Sequence, residues 1–439
     1  MDRRQRIPGI NRLAEMVTEL FDKIPHEASV RLARYLATQL RADPKAELRS
    51  DWIRRQLAPV LEPGPVSVIN GTGILLHTNQ GRAPLDRDLV LRALDRVAGY
   101  TDLELSLDSG KRSHRDRHFA ELARLVWGVE DATLVNNAAA AVALTLAALG
   151  GGRETVVSRG ELIEIGGSFR LPDIMEQAGT KLVEVGATNK TKIDDYHKAI
   201  TDQTGCLLKT HTSNYRIEGF TAEVSLEDMV KVGREHQVPV VMDLGSGLSG
   251  SLPFPAVPEP FIEGYLDNDP DLLIFSGDKL FGSVQSGIVL GKRASVEKLR
   301  KHPMMRMLRQ DKLSISIICH QLHDTFLGRQ NPLSQLACAT LDHLRQRAES
   351  LAAKCNDARV TVVEDDGFLG GGSLPQEKRP SISICIAVKS VASFSRRLRL
   401  GPCHLMGYVR NECYFINMAG LFPHQDERIA HALIEALKG

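Results

Sequence analysis

Seven short, nearly uninterrupted apolar runs between residues 66 and about 300 constrain this chain more than any other feature. They are Thr133-Leu-Val135, Glu154-Thr-Val-Val157, Lys181-Leu-Val-Glu-Val185, Gly205-Cys-Leu-Leu-Lys209, Pro239-Val-Val-Met242, Asp271-Leu-Leu-Ile-Phe275 and Gly287-Ile-Val-Leu290. Amphipathic stretches such as 171–178 and 225–235 lie between several of them. Strands that face water on one side alternate apolar and polar residues, whereas strands buried on both faces do not. The pattern therefore predicts an α/β fold with a mostly parallel central sheet covered by helices.

The pattern changes on either side. Residues 1–60 place Leu13, Met16 and Leu20, then Leu32, Tyr35 and Leu36, at helical spacing. Helices are predicted near 11–22, 27–42 and 45–58, broken at Pro25 and at Asp43-Pro44. This is a small helical N-terminal domain. Ala58-Pro-Val-Leu-Glu-Pro-Gly-Pro65 reads as a linker into a large domain over 66–305. From there a long helical stretch, 313–353, leads to strands at 359–363, 381–385, 407–410 and 412–416 and a closing helix near 427–437. Residues 306–439 thus form a smaller α+β domain.

Composition excludes several classes of function. With 55 basic and 54 acidic residues the formal charge is +1, so no global field draws the molecule to DNA. Residues 1–60 carry 12 basic and 8 acidic side chains, a modest local excess that a polyanion-binding module can use. Seven cysteines without a CxxC pair argue against a disulfide framework or structural zinc and suit a reducing compartment. The opening Met1-Asp2-Arg3-Arg4 is not a signal peptide, and no run is long enough to span a bilayer. A cytoplasmic protein with no membrane partner is expected.

The chemistry is expected around Ser276-Gly277-Asp278-Lys279, directly after the sixth run. A lysine at the C-terminal mouth of a parallel strand stands where α/β proteins keep their chemistry, and can form an imine with pyridoxal 5'-phosphate. That cofactor also needs an anion opposite its ring nitrogen and a cup for its phosphate. Asp243, at the end of Val240-Val-Met-Asp243, supplies the anion, 36 positions before Lys279. Asn136-Asn137-Ala138-Ala139-Ala140 follows a strand and opens an apolar helix, whose unpaired N–H groups suit a phosphate. No GxGxxG or Walker loop competes. His211, just past the fourth run, is placed to stack on a cofactor ring or to orient a neighbour. The histidines form no HExxH and no dense ligand grouping, so no metal site is predicted.

Basic residues recur in His77-Thr-Asn-Gln-Gly-Arg82, Lys111-Arg112-Ser-His-Arg115, His211-Thr-Ser-Asn-Tyr-Arg216 and His302-Pro-Met-Met-Arg306-Met-Leu-Arg309. Arginines that converge on one cleft match tetrahedral oxyanions, because the guanidinium fork fits them.

These residues also carry a resemblance. Asn70-Gly-Thr-Gly-Ile-Leu-Leu-His-Thr-Asn-Gln-Gly-Arg-Ala-Pro84, Gly166-Gly-Ser-Phe-Arg170, Val185-Gly-Ala-Thr-Asn189, Ser213-Asn-Tyr-Arg-Ile-Glu-Gly-Phe-Thr221, Ser276-Gly-Asp-Lys279, His302-Pro303 with Arg306 and Arg309, and Gly370-Gly-Gly-Ser-Leu-Pro375 resemble the bacterial L-seryl-tRNA(Sec) selenium transferase, or selenocysteine synthase, family. The resemblance spans nearly the whole chain. It implies a fold-type I pyridoxal phosphate transferase with Lys279 as imine lysine and Ser276, Asp278 and Asp243 around it. Arg82, Arg115, Arg306 and Arg309 are then the donor-site arginines, for selenophosphate. It further implies that the N-terminal domain grips seryl-tRNA(Sec) and that subunits close into a homo-oligomer, a ring-shaped decamer in bacterial members. The implied reaction eliminates water from the seryl group to give aminoacrylyl-tRNA and adds selenium. The chain departs from the family at Gly282-Ser-Val-Gln-Ser-Gly287, commonly Gly-Gly-Pro-Gln-Ala-Gly, and at Ser113-His114-Arg115, usually Gly-Ser-Arg. Two other readings share the fold: a lyase or aldolase acting on a small phosphorylated amino or hydroxy acid, and an inactive tRNA-binding relative. The N-terminal domain favours the tRNA enzyme over the first, and the Asp243–Lys279 pair disfavours the second.

Overall fold

A computed structural model describes residues 7–438, apart from 22, 44–45, 62, 166–168, 213–214, 216, 250–260 and 371–372. The sequence motifs 166–170, 213–221 and 370–375 therefore lie partly outside the described residues. The chain divides into two compact units, Met1–Ser67 and Val68–Gly439.

The first unit is three helices: α1 (Ile10–Leu20), α2 (His26–Ala42) and α3 (Ser50–Leu61). Leu13, Ala14 and Val17 of α1, Ala33, Leu36 and Ala37 of α2, and Ile53 and Leu57 of α3 are buried. Their spacing gives each helix one apolar stripe. Pro25 precedes the first turn of α2, where a missing N–H costs nothing. The third helix begins at Ser50 and not near 45, and it runs through Pro59 into the predicted linker. A proline so near a helix end removes one hydrogen bond of a turn that would fray in any case.

In the second unit the seven predicted runs form one sheet: β1 (Asp131–Val135), β2 (Glu154–Ser158), β3 (Lys181–Val185), β4 (Thr204–Thr210), β5 (Val240–Gly245), β6 (Leu272–Ser276) and β7 (Gly287–Gly291). Their spatial order is β3-β2-β4-β5-β6-β7-β1. Pairing is parallel from β3 through to β6, and β7 runs antiparallel to both of its neighbours. Every residue of β1, β6 and β7 is buried, which is why these segments show no polar alternation. Two apolar cores, one on each face, confirm the sandwiched sheet. No described helix is long and apolar enough to cross a membrane.

A second sheet of five strands contains Val360–Gly370, Ser373–Ile386, Tyr408–Arg410 and Cys413–Asn417. Its fifth strand, Ile74–Leu76, comes from far upstream and pairs parallel to Val360–Gly370 through Phe368 and Gly370. Ile69–Asn70 likewise pairs with Leu405–Met406. The helical stretch predicted over 313–353 consists of three helices, Lys312–Phe326, Pro332–Cys338 and Leu341–Cys355. Pro332 starts the second of them, capped by Asn331, so the apolar periodicity continues while the axis does not.

Candidate active site

Lys279 sits three residues past β6 and is 7% exposed. Its turn is held by the main chain: Gly277 N–H donates to the Ser286 carbonyl at 3.0 Å and Leu280 N–H to that of Ser246 at 3.1 Å. Phe275 and Phe281 bracket the lysine and pack edge-to-face, with centroids 5.8 Å apart, and Phe275 meets Trp127 at 5.9 Å. Such pairs add about 0.5–1.5 kcal/mol each beyond their buried area, so the turn stands on a stiff floor. Gly282 has φ +72°, and a Cβ there would lie 2.3 Å from the Asn331 amide. That loop is where the chain departs from the family pattern. Val284 and Gln285 are accommodated with Gln285 bound to the neighbouring loops: its carbonyl accepts from Gln310 at 2.8 Å and its amide reaches the Asn136 carbonyl at 3.4 Å.

Asp243 lies on the adjacent parallel strand, in register with Ile274 of β6 and Thr210 of β4. Burial pushes its carboxyl up to about 6, against the opposing pull of the Lys279 charge and the Gly245 N–H. His211 hangs from the Asp243 carbonyl through its own N–H at 2.9 Å. Burial lowers its pKa, helped by Lys209 and Lys279 and opposed by Glu223, which favours a neutral imidazole. Its Nδ1, Thr210 Oγ1, Ser246 Oγ and Ser283 Oγ are buried without a partner among the described residues. These orphans stand at the ends of β4 and β5 and in the loop after β6. A buried unpaired polar atom costs about 1–3 kcal/mol, so such atoms at this end of the sheet fit a site built for a polar ligand.

Asn137 caps the helix α4 (Ala138–Gly150), its Oδ1 accepting from Ala140 N–H at 2.8 Å. The Ala138 and Ala139 N–H groups remain without intrahelical acceptors, as at any helix start. The antiparallel strand β7 brings the lysine loop to this point, because a Cβ on Gly287 would lie 2.2 Å from the Asn137 carbonyl. A buried lysine, a buried carboxylate and an open helix N-terminus therefore occupy one end of the sheet. The residues present fit pyridoxal phosphate.

Ser276 Oγ donates to Asp278 Oδ1 at 2.7 Å, and Arg82 Nη1 donates to Asp278 Oδ2 at 2.7 Å. Both oxygens of Asp278 are thus engaged, and Arg82 is held beside the lysine turn. Arg115, Arg306 and Arg309 line a different feature, a cleft of about 690 Å³ that also includes Glu104, His114, Arg300 and Gln310. Arg82 is not among its lining residues, so the expected arginines occupy two places. Glu104, which the sequence did not flag, gathers this group: Arg115 donates to it at 2.7 and 2.9 Å, Arg112 at 3.0 Å, and Arg309 lies 3.7 Å away. Arg115 foremost, then Arg112, lowers the Glu104 pKa. Arg306 has no ion-pair partner among the described residues and is exposed. The cleft adjoins the helix start, because Arg309 bridges Val135 and Asn136 N–H donates to the Leu308 carbonyl at 2.9 Å.

Two further groups were not legible in the sequence. Lys209 and Glu161 form a buried ion pair at 2.9 Å. His197, Glu235 and His236 come together at the surface, with the imidazoles 2.9 Å apart, although no metal-ligand grouping was predicted. Each joins residues distant in the chain, so no local spacing announces it.

The family model described as SelA, L-seryl-tRNA selenium transferase, matches residues 68–422. The chain belongs to the L-seryl-tRNA selenium transferase family. It is 37% identical over 450 residues to the L-seryl-tRNA(Sec) selenium transferase of Aquifex aeolicus, covering 99% of this chain and 98% of that protein. To the Moorella thermoacetica enzyme of the same name it is 41% identical over 388 residues, 85% and 82% of the two chains. Among solved structures, D-glucosaminate-6-phosphate ammonia-lyase aligns with a TM-score of 0.61 at 18% identity, over 88% of this chain and 98% of that one, a likeness of fold.

Proposed function

We infer that this chain is a pyridoxal phosphate enzyme that converts L-seryl-tRNA(Sec) to L-selenocysteinyl-tRNA(Sec). The observation that carries the reading is Asp243 and Lys279 buried side by side on adjacent strand ends in a chain of this family. Lys279 would hold the cofactor covalently, Asp243 would face its ring nitrogen, and His211 its ring. The Ala138 and Ala139 N–H groups, with Asn137, would take its phosphate, and Ser276 would orient the turn. When bound, the cofactor supplies an electron sink that lets the seryl α-proton and β-hydroxyl depart.

The roles of the chain's own groups follow from their surroundings. The Lys279 amine, once released, is the base at the α-carbon, because the aromatic floor and main-chain bonds keep it at that spot. Asp243 holds a positive charge next to it at the ring-nitrogen position. Asp278 orients Arg82 toward the incoming donor. Arg306 and Arg309, with Arg115, bind the tetrahedral oxyanion of selenophosphate by their guanidinium forks. Residues 1–60, with their basic excess, are the candidate tRNA-binding domain. A cytoplasmic homo-oligomer, a ring-shaped decamer as in bacterial family members, completes the proposal.

The test is conversion of seryl-tRNA(Sec) with selenophosphate by the purified holoenzyme. Product from wild type and none from Lys279→Ala supports the reading. Turnover retained in Lys279→Ala overturns it. Arg306→Ala and Arg309→Ala should raise the KM for selenophosphate, and an unchanged donor KM in both removes the arginines from that role. Deleting residues 1–60 should abolish tRNA binding while sparing the cofactor absorbance, and unchanged tRNA affinity removes the domain from that role.

A further inference from the structure

Arg300 lies in the wall of the arginine cleft, yet it has nothing left to offer a ligand. It sits in the last turn of α5 (Arg293–Lys301), with its side chain 8% exposed. Nη1 and Nη2 form a fork onto Asp131 at 2.6 and 3.1 Å. Nη2 also donates to the Ala132 carbonyl at 2.6 Å, Nε to Asp116 at 3.1 Å, and Nη1 to Glu297 at 3.3 Å. These use all five N–H donors of a guanidinium. Burial works against the charge, but Asp131 and Asp116 keep its pKa raised.

The other end of the segment is fastened to the same strand. Asp131 and Ala132 open β1, and Val135 closes it. Past α6 (Met304–Leu308), Arg309 bridges Val135 and the Leu308 carbonyl accepts from Asn136 N–H at 2.9 Å. Residues 300–309 are thus tied at both ends of one five-residue strand. Arg306 rides on the piece between the ties, and Arg309 forms the second tie with its own main chain, beside the α4 start.

Buried ion pairs seldom stabilise a fold more than apolar groups of the same size would, and their best-attested use is to fix geometry. We propose that the Arg300–Asp131–Asp116 cluster is a positioning device for the selenium-donor site, setting where Arg306 and Arg309 stand relative to the cofactor's phosphate end. The proposal rests on the reading of Arg306 and Arg309 as donor-binding residues. Arg300 is a positioning residue and touches no substrate.

The test is steady-state kinetics of the holoenzyme with selenophosphate varied at saturating seryl-tRNA(Sec), for wild type, Arg300→Lys, Asp131→Asn and Asp116→Asn. Lysine keeps the charge but lacks the fork. Misplacing a binding group by about 1 Å can cost up to ~100-fold, so Arg300→Lys and Asp131→Asn should raise the donor KM by roughly 10- to 100-fold. Cofactor absorbance and the KM for seryl-tRNA(Sec) should hold. Asp116→Asn, which weakens one of the five donor contacts, should give a smaller rise and decides the matter if the stronger variants do not fold. Inorganic phosphate binding to the holoenzyme, measured by calorimetry, should weaken in parallel with the donor KM. In an Arg306→Ala/Arg309→Ala background, Arg300→Lys should add little further. An unchanged donor KM, or an equal loss in kcat, both KM values and cofactor occupancy, overturns the proposal. If Arg306→Ala and Arg309→Ala leave the donor KM unchanged, the underlying reading fails instead. If they raise it and the Arg300 and Asp131 variants do not, only the positioning role fails.

Discussion

The lysine turn and the arginine cleft stand near the same helix start but are built in opposite ways. Lys279 and Asp243 are buried, sit at strand ends, and owe their placement to main-chain hydrogen bonds and an aromatic floor. Arg115, Arg306 and Arg309 stand on loops and a short helix, where Arg115 and Arg309 meet Glu104 through side-chain ion pairs and Arg306 is exposed. The first design is rigid because a sheet sets its geometry. The second joins exposed guanidiniums, whose side chains exchange one carboxylate for another at little cost, to a segment tied down at its base by the buried Arg300. A site that holds a cofactor permanently suits the first, and one that admits and releases an anion each turnover suits the second.

This comparison can be broken most forcefully at the lysine turn. Lys279→Ala should abolish turnover and the visible absorbance of bound cofactor, a loss that no other substitution here should match. Asp243→Asn should follow, with kcat down by on the order of 10²–10³ and the donor KM little changed, because a preorganised charge at the reacting centre is worth that much. In the cleft, Arg309→Ala should leave kcat nearly intact and raise the donor KM by about 10- to 100-fold, the value of one charge-assisted hydrogen bond. A kcat loss of equal size would mean that the two regions are not separable.

Asp243 also gives a pH dependence in the cofactor-free protein. The folded state keeps its proton up to about pH 6, whereas the unfolded chain gives it up near ~4. Between those values the folded state binds the extra proton, so stability falls as pH rises. Relative to Asp243→Asn, the wild-type apoprotein should lose about 3 kcal/mol across that window, measured by denaturant unfolding at several pH values. A flat difference would show that the carboxyl is not isolated from water. The smallest effect belongs to Arg112→Ala, whose exposed contact to Glu104 should be worth about 0–1 kcal/mol of stability and leave the donor KM unmoved.

The two regions were also unequally legible in the chain. All seven strands of the large sheet could be read, because burial on both faces writes itself as consecutive apolar residues. Asp243 and Lys279 were legible as polar residues that end such runs. The helical stretch over 313–353 was legible as helical but its division was not, since helical periodicity survives the breaks capped by Asn331 and Thr340. Glu104 carried no signal at all. Its importance lies in meeting Arg309, and Arg115 likewise meets the Gln310 carbonyl 195 positions away. Nor could the sequence announce that Arg82 is held by Asp278 across 196 positions.

The layered α/β fold, the polar residues that end its strands and the family were all written in the chain. Burial is a property of each residue that its local composition records. Only the tertiary structure decided which arginines share a cleft, which carboxylates they meet, and that Ile74–Leu76 completes a sheet formed by the distant C-terminal strands. Those choices depend on which groups come within a few ångströms of one another. That follows from the order in which the strands pair, an order that no short stretch of the chain contains.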